Sequence, residues 1–275
     1  MGGHLLNLTI PHPLLSHRRT FAKMNTSLKR VLKNYAPKWA KRMYHRANGA
    51  ANRFKTTETV FAEIYKVNQW GGSGGFNSGA GTSVDRVATA YIQTVKEHLA
   101  RMNLSPSRFV DLGCGDFRVG SQIAPLASSY IGGDVVPALV DHLNQTHGNG
   151  TTSFRCVDMV LDELPEGDVC FIRQVLQHLS NEQIQRILPK LSRYRCVFIT
   201  EHIPNRSKPY VANIDKAQGP DIRLYWHSGV FLDQPPFSVP ASQLTEILSV
   251  QGTPVWEGQD PGEIVTWIFE PSKAQ

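Results

Sequence analysis

No stretch of this 275-residue sequence approaches the ~20 consecutive apolar residues that a membrane-crossing helix needs, and no Asp or Glu occurs before Glu58. The first absence leaves a soluble or peripheral protein as the expectation. The second makes residues 1–57 uniformly basic, with twelve Lys or Arg. The net charge of +6 therefore hides a split, because residues 58–275 carry 17 Lys and Arg against 23 Asp and Glu. A surface for an anionic partner is expected in the N-terminal segment, and the remainder has no nucleic-acid signature. Cysteine is scarce. Cys114, Cys156, Cys170 and Cys196 have no metal-ligand spacing, so no metal site is expected, and a reduced, cytoplasmic setting is the simplest reading.

What is present is organised around residues 109–120, FVDLGCGDFRVG. Phe109 to Leu112 describe a buried strand, and Gly113 and Gly115 a tight turn where backbone approaches a ligand closely. Two ligands use such a turn in doubly wound folds: dinucleotides and the methyl donor S-adenosylmethionine (SAM). A dinucleotide wants a third glycine three residues after the second, so that the next helix packs closely. Arg118 stands there. Asp111 and Asp116 bracket the turn with carboxylates, which repel a pyrophosphate but suit the ammonium and sulfonium groups of SAM. Charge and spacing both favour SAM.

Apolar spacing predicts helices over 59–70 and 84–99, the second capped by Ser83. Between them, six glycines from Gly71 to Gly81 read as a clamp over bound ligand, with Trp70, Ser78, Gly79 and Thr82 among its contacts. A plain linker is the alternative. After the first strand come a helix over 119–127, a second strand over 130–135, a helix over 137–144 and a third strand over 154–157. Asp134 ends the second strand, where an acid accepts hydrogen bonds from both ribose hydroxyls of an adenosine, with Val135 beside it. Asp158, after the third strand, is placed for the adenine amino group, with Met159 against the ring. A fourth strand over 168–172 leads to Arg173 and Gln174, then to a helix through Leu191 capped by Ser180 or Asn181. A fifth strand covers 194–200. Glu201 and His202 open a long irregular segment to Pro240, a helix is expected over 242–248, and a hairpin of 255–257 with 264–269 closes the sheet. The pattern predicts an α/β, mostly parallel sheet with an antiparallel C-terminal edge.

Three segments result: a basic tail or amphipathic helix (1–57), helices with the Gly-rich cover (58–100), and a cofactor-binding core (101–275) with a substrate-lid insertion at 203–240. In the first, Leu28, Val31, Leu32, Tyr35 and Trp39 recur at helical spacing, interrupted by Pro37. A surface-seeking helix giving peripheral membrane contact, an organelle transit peptide and a solvated tail all fit this stretch. Leu6 stands where myristoylation of Gly2 wants Ser or Thr.

Over residues 58–270 the sequence resembles class I SAM-dependent methyltransferases. VDLGCG matches their first motif, Asp134 in YIGGDVV their second-strand acid, and Asp158 in FRCVDMV their adenine-side acid. More narrowly, NQWGGSGGFNSGAGTSVD, RQVLQHLSN, ITEHIP and SGVFLDQPPF are similar to a small, largely uncharacterised subgroup. The resemblance implies a Rossmann-like seven-stranded sheet with helices on both faces and an N-terminal helical extension. It also implies SAM as cofactor, Cys114 and Phe117 in the cofactor turn, and methyl transfer. Phe117 occupies a position where many members carry a third glycine.

Methyl transfer from a sulfonium needs in-line positioning more than covalent help, and a base matters only for a weak, protonated acceptor. For a hydroxyl, His178 is the first candidate base, followed by Glu201 and His202. Arg173 and Gln174 sit where the donor's carboxyl or the acceptor passes. Asn213, Asp215, Asp221, Arg223 and His227 decorate the long segment as lining for a polyol or sugar. The expected activity is methylation of a small-molecule or glycan acceptor at oxygen. RNA methylation guided by the basic tail, and a non-catalytic SAM- or nucleotide-binding module tethered to a membrane, are the alternatives.

Overall fold

The computed structural model describes residues 37–71, 75–79 and 85–271, and the chain divides into two units, residues 1–43 and 44–275. The described part of the first unit is the opening of helix α1, Lys38–Ala50. Most of the expected basic amphipathic helix, and Thr82 and Ser83 of the Gly-rich cover, lie outside the described residues.

The second unit is built on seven strands: β1 (Arg108–Leu112), β2 (Ser129–Asp134), β3 (Thr152–Cys156), β4 (Val169–Arg173), β5 (Cys196–Ile203), β6 (Leu244–Gln251) and β7 (Glu263–Phe269). Their order is β3-β2-β1-β4-β5-β7-β6. The first five run parallel, and β7 pairs antiparallel with both β5 and β6. This is the Rossmann-like sheet that the resemblance implies. Strands covered on both faces read as continuous apolar runs, and every residue of β5 is buried. The order reverses between β1 and β4, and at such a switch point the carboxyl ends of the strands part to leave a crevice.

Helices α2 (Thr57–Lys66), α3 (Asp85–Arg101), α4 (Pro137–His147) and α5 (Asn181–Ile187) complete the frame. Helix α5 opens with a capping box: the Gln183 amide donates to Ser180 Oγ at 3.2 Å, and the Ser180 amide donates to Gln183 Oε1 at 2.9 Å. Pro189 follows its end, and a 3₁₀ turn over Leu188–Arg193 takes over.

Several expectations need correction. No α-helix forms over 119–127; two 3₁₀ turns, Gly120–Gln122 and Ala124–Leu126, stand there. Pro125 withholds an amide, and Gly120 lies so close to the Tyr130 hydroxyl that a Cβ would meet it at 2.4 Å. The helix expected over 242–248 is strand β6, and residues 255–257 are not a strand. A bulge between Glu246 and Leu248 slips the pairing of β6 with β7 by one residue. It interrupts the two-residue alternation and leaves Leu244, Ile247 and Leu248 spaced like a helix face. Glu201 and His202 lie inside β5 rather than opening a loop.

The irregular segment after β5 is held by buried polar side chains, and this accounts for residues expected to meet an acceptor. Arg223, fully buried, donates to the carbonyls of Leu176, Gln177, Leu179 and Ile214 and to Asn181 Oδ1, at 2.8–3.2 Å. Asn213 donates to the carbonyls of Phe231 and Pro235 and accepts from the Phe231 amide. Asp215, exposed rather than buried, accepts the Asn181 amide at 2.8 Å. Glu201 accepts the Leu176 and Gln177 amides, each at 2.9 Å, and His202 Nε2 lies 2.7 Å from the Pro261 carbonyl. Irregular backbone leaves carbonyls and amides without ladder partners, and these side chains supply them. Arg223→Met is therefore expected to lower the unfolding free energy by about 3–5 kcal/mol, because it orphans several buried carbonyls at once. Urea denaturation measures this, whereas a surface acceptor-binding arginine would leave the midpoint in place.

Candidate cofactor and acceptor cavity

The crevice at the carboxyl ends of β1, β2 and β4 opens into a cavity with about 1140 Å³ of space, its open mouth included. The glycine turn forms its floor. Gly113 and Gly115 have φ of +76° and +54°, which L side chains rarely adopt. A Cβ on Gly113 would stand 2.5 Å from Val175 Cγ2, and one on Gly115 would stand 2.3 Å from Ser78 Oγ. The amides of Gly113 and Cys114 both donate to the Gly133 carbonyl, tying the turn to β2. Phe117 keeps the left-handed conformation, φ +59°, without being glycine. Its ring packs against Phe154 and Tyr130 and does not line the cavity, which corrects its expected contact with cofactor.

Carboxylates dominate the polar wall. Asp134 accepts the Gly115 amide on one oxygen and the Val136 amide on the other, at 3.2 and 3.1 Å. Asp111 accepts the Tyr130 hydroxyl at 2.5 Å. Burial pushes both carboxyls up to about 6, against those hydrogen bonds. Asp158 accepts the Val160 amide at 2.9 Å, and Asp158, Met159, Val157 and Val160 line the same side. Asp116 also lines the cavity, and Arg173 is the cation set among these acids, its guanidinium 5.1 Å from the centroid of the Tyr91 ring. Val135 and Cys114 complete this part of the wall.

Ser78 of the Gly-rich segment is fastened to the turn. Its amide donates to Asp116 Oδ2 at 3.1 Å, its Oγ accepts the Asp116 amide at 2.7 Å, and the Tyr65 hydroxyl lies 3.1 Å from the same Oγ. Trp70 and Ser78 line the cavity; Gly79 packs beside Trp70 without lining it.

Among the acids and beside them, Phe61, Tyr65, Trp70, Tyr91 and Phe171 line the cavity as an aromatic wall. The sequence reading missed Phe61, Tyr65 and Tyr91 as site residues, because at helical spacing they look like core positions. Gln174 lines the cavity with φ +56°, and its backbone is fixed by an amide bond to the Thr200 carbonyl at 2.6 Å. Its buried Nε2 has no hydrogen-bond partner among the described residues. His178 faces the cavity beside Trp70 and is pushed down to about 3 by burial and by the nearby Lys216 ammonium. Its Nδ1 lies 3.1 Å from the Gly219 carbonyl, so the neutral ring donates from Nδ1. Glu201, His202, Asn213, Asp215 and Arg223 do not line this cavity. Asp221 is bound to His45 Nδ1 at 2.9 Å and does not line the cavity. Among the described residues no cluster of three His, Cys, Asp or Glu is arranged to hold a metal.

No protein-family model matches this sequence, and no curated protein matches it by sequence. Solved structures do resemble the chain in path. The N-methyltransferase NodS from Bradyrhizobium japonicum shares 14% identity over 70% of this chain and 98% of its own, with a TM-score of 0.44. A SAM-dependent methyltransferase from Clostridium acetobutylicum shares 10% over 77% and 98%, with a TM-score of 0.45. A TehB-like SAM-dependent methyltransferase from Corynebacterium glutamicum shares 14% over 66% and 88%, with a TM-score of 0.42. At these values the fold assignment stands on the strand order and register of this chain itself.

The Ser78 fastening has a measurable consequence. Ser78→Ala removes the acceptor of the Asp116 amide and the partner of Tyr65 while sparing the Ser78 amide bond. Amide exchange over residues 75–79 is expected to accelerate about tenfold, the loss of roughly 1.4 kcal/mol of local protection. Mass-resolved hydrogen exchange reads this directly.

Proposed function

We propose that this chain is a SAM-dependent methyltransferase acting on a hydroxyl oxygen of a small-molecule or glycan acceptor. The observation that carries the cofactor reading is the excess of carboxylate around the glycine turn: Asp111, Asp116, Asp134 and Asp158 against Arg173. Such a wall favours a ligand bearing positive charge and disfavours a pyrophosphate. SAM supplies a sulfonium-activated methyl group together with an ammonium, a carboxylate and an adenosine, and the residues present fit that set. Asp134 suits the ribose hydroxyls. Asp158 suits the adenine amino group, with Val157, Met159 and Val160 as apolar packing for the ring. Arg173 is the counter-charge for the carboxylate, and Asp111 and Asp116 suit the cationic end.

The oxygen reading rests on His178. A ring that stays neutral at physiological pH and donates from Nδ1 has Nε2 as its acceptor; the Gln177 side-chain amide approaches that nitrogen only at 3.4 Å, and an acceptor hydroxyl that donates to it takes over this long contact. A group pushed down to about 3 is too weakly basic to hold much of the proton. His178 therefore positions, and in-line approach carries most of the rate enhancement. The aromatic wall and the Ser78 cover support a compact ring-bearing acceptor.

Titration calorimetry with SAM tests the cofactor reading; absence of binding at neutral pH would sink it, as would tighter binding of NADH. Protonating Asp111 and Asp134 removes the charge that a cation needs, so affinity should be full above about 6 and weaken as pH falls through that value. The expected loss between pH 7 and pH 5 is roughly 10- to 100-fold in Kd. At saturating SAM, kcat should show no His limb near pH 6.5, since His178 stays neutral throughout that range.

A further inference from the structure

We infer that the acceptor this cavity takes is a planar aromatic ring carrying two oxygens, the reacting hydroxyl held by His178 and the second oxygen held by Gln174. The inference rests on the methyltransferase reading and narrows its acceptor.

The first observation is an unspent donor. Gln174 Nε2 is buried and has no hydrogen-bond partner among the described residues, although an unsatisfied buried amide lowers stability and folded proteins seldom retain one. The side chain belongs to the cavity wall, and its backbone is held at φ +56° by the amide bond to the Thr200 carbonyl. An oxygen arriving with a ligand gives this donor what the chain withholds. Buried Gln177 keeps Gln174 in company with His178. Its Oε1 accepts the His202 amide at 3.3 Å, which turns its Nε2 toward the Gln174 carbonyl at 3.3 Å and His178 Nε2 at 3.4 Å. Gln174 calls for an oxygen that accepts, and His178 for a hydroxyl that donates.

The second observation is what surrounds this pair. The Trp70 and His178 ring centroids are 5.3 Å apart, Phe61 meets the His178 ring edge-on at 6.5 Å, and Tyr65 stands edge-on to Trp70 at 5.2 Å. All four line the cavity, and the Tyr65 hydroxyl is already engaged by Ser78. The cavity's carboxylates are those that the cofactor reading assigns to SAM. A sugar stacks one face on such rings, but its remaining hydroxyls exchange water for apolar neighbours. A flat aromatic ring carries no such surplus and gains edge-to-face and offset contacts.

The fate of the proton points the same way. His178, pushed down to about 3, holds little of it, so the hydroxyl has to release it to water. A phenol, with an ordinary pKa of about 10, does so far more readily than an aliphatic alcohol.

Titration calorimetry separates the two levels of the reading. S-adenosylhomocysteine is added first, and its failure to bind would remove the methyltransferase reading itself. With it bound, catechol, phenol and methyl glucoside are the probes. Catechol is expected to bind at least about tenfold more tightly than phenol, which lacks the second oxygen, and than the glucoside. No catechol binding to the S-adenosylhomocysteine complex, or equal binding of catechol and either other probe, would overturn the inference. The variant Gln174→Met is expected to lose the preference for catechol over phenol. Its urea midpoint should stay at or above that of the parent, since the substitution removes an unmet donor. A preference that survives, or a midpoint that falls because the amide is spent on the fold, would overturn it as well.

Discussion

Two carboxylates buried at the carboxyl edge of a parallel sheet set the terms for everything around them. Asp111 and Asp134 sit where strands part, and burial raises both toward neutrality. The chain spends its nearest donors on them: the Tyr130 hydroxyl on one, the Gly115 and Val136 amides on the other. The glycine turn has its left-handed shape partly because the Gly115 amide must reach Asp134. A protein concerned only with its own stability would place apolar groups there, since an ionised group in a poorly solvated site lowers stability. Retaining the acids is the behaviour of a site that expects a positive counterpart.

Behind that edge lies a second polar framework with a different purpose. Arg223, Asn213 and Glu201 are buried and satisfied, and their partners are mostly backbone groups of irregular segments. Glu201 holds the turn after β4 from below, while Arg223 draws together the carbonyls of the same turn. Gln174 and His178 flank that turn and line the cavity. Their placement depends on residues that never touch the cavity, as expected where functional groups sit on loops held by a rigid scaffold.

The contrast explains what the sequence could disclose. The parallel strands were legible because burial on both faces leaves unbroken apolar runs, and the positions of Asp111, Asp134 and Asp158 followed from strand ends. The polar residues after β5 were not legible in the same way. A buried arginine serving five acceptors and an arginine waiting for a substrate have the same letters around them, and only the tertiary structure distinguishes them. Tyr65 and Tyr91 were hidden for the opposite reason, since one face of a helix can serve core and cavity together. Strand β6 was misread because its bulge leaves three apolar residues at helix-like intervals.

That bulge also bears on how the molecule meets its neighbours. Strand β6 is one of the sheet's two edges among the described residues, and an uninterrupted edge is a template on which another chain can build. Here an incoming strand would start in step and fall one residue out of step halfway along. Arg206 clasps Glu246 and Glu263 across the same two strands, so charge stands where a flat apolar ribbon would invite pairing. The irregularity that disguised the strand in the sequence is thus also one that makes this edge a poor template for a further strand.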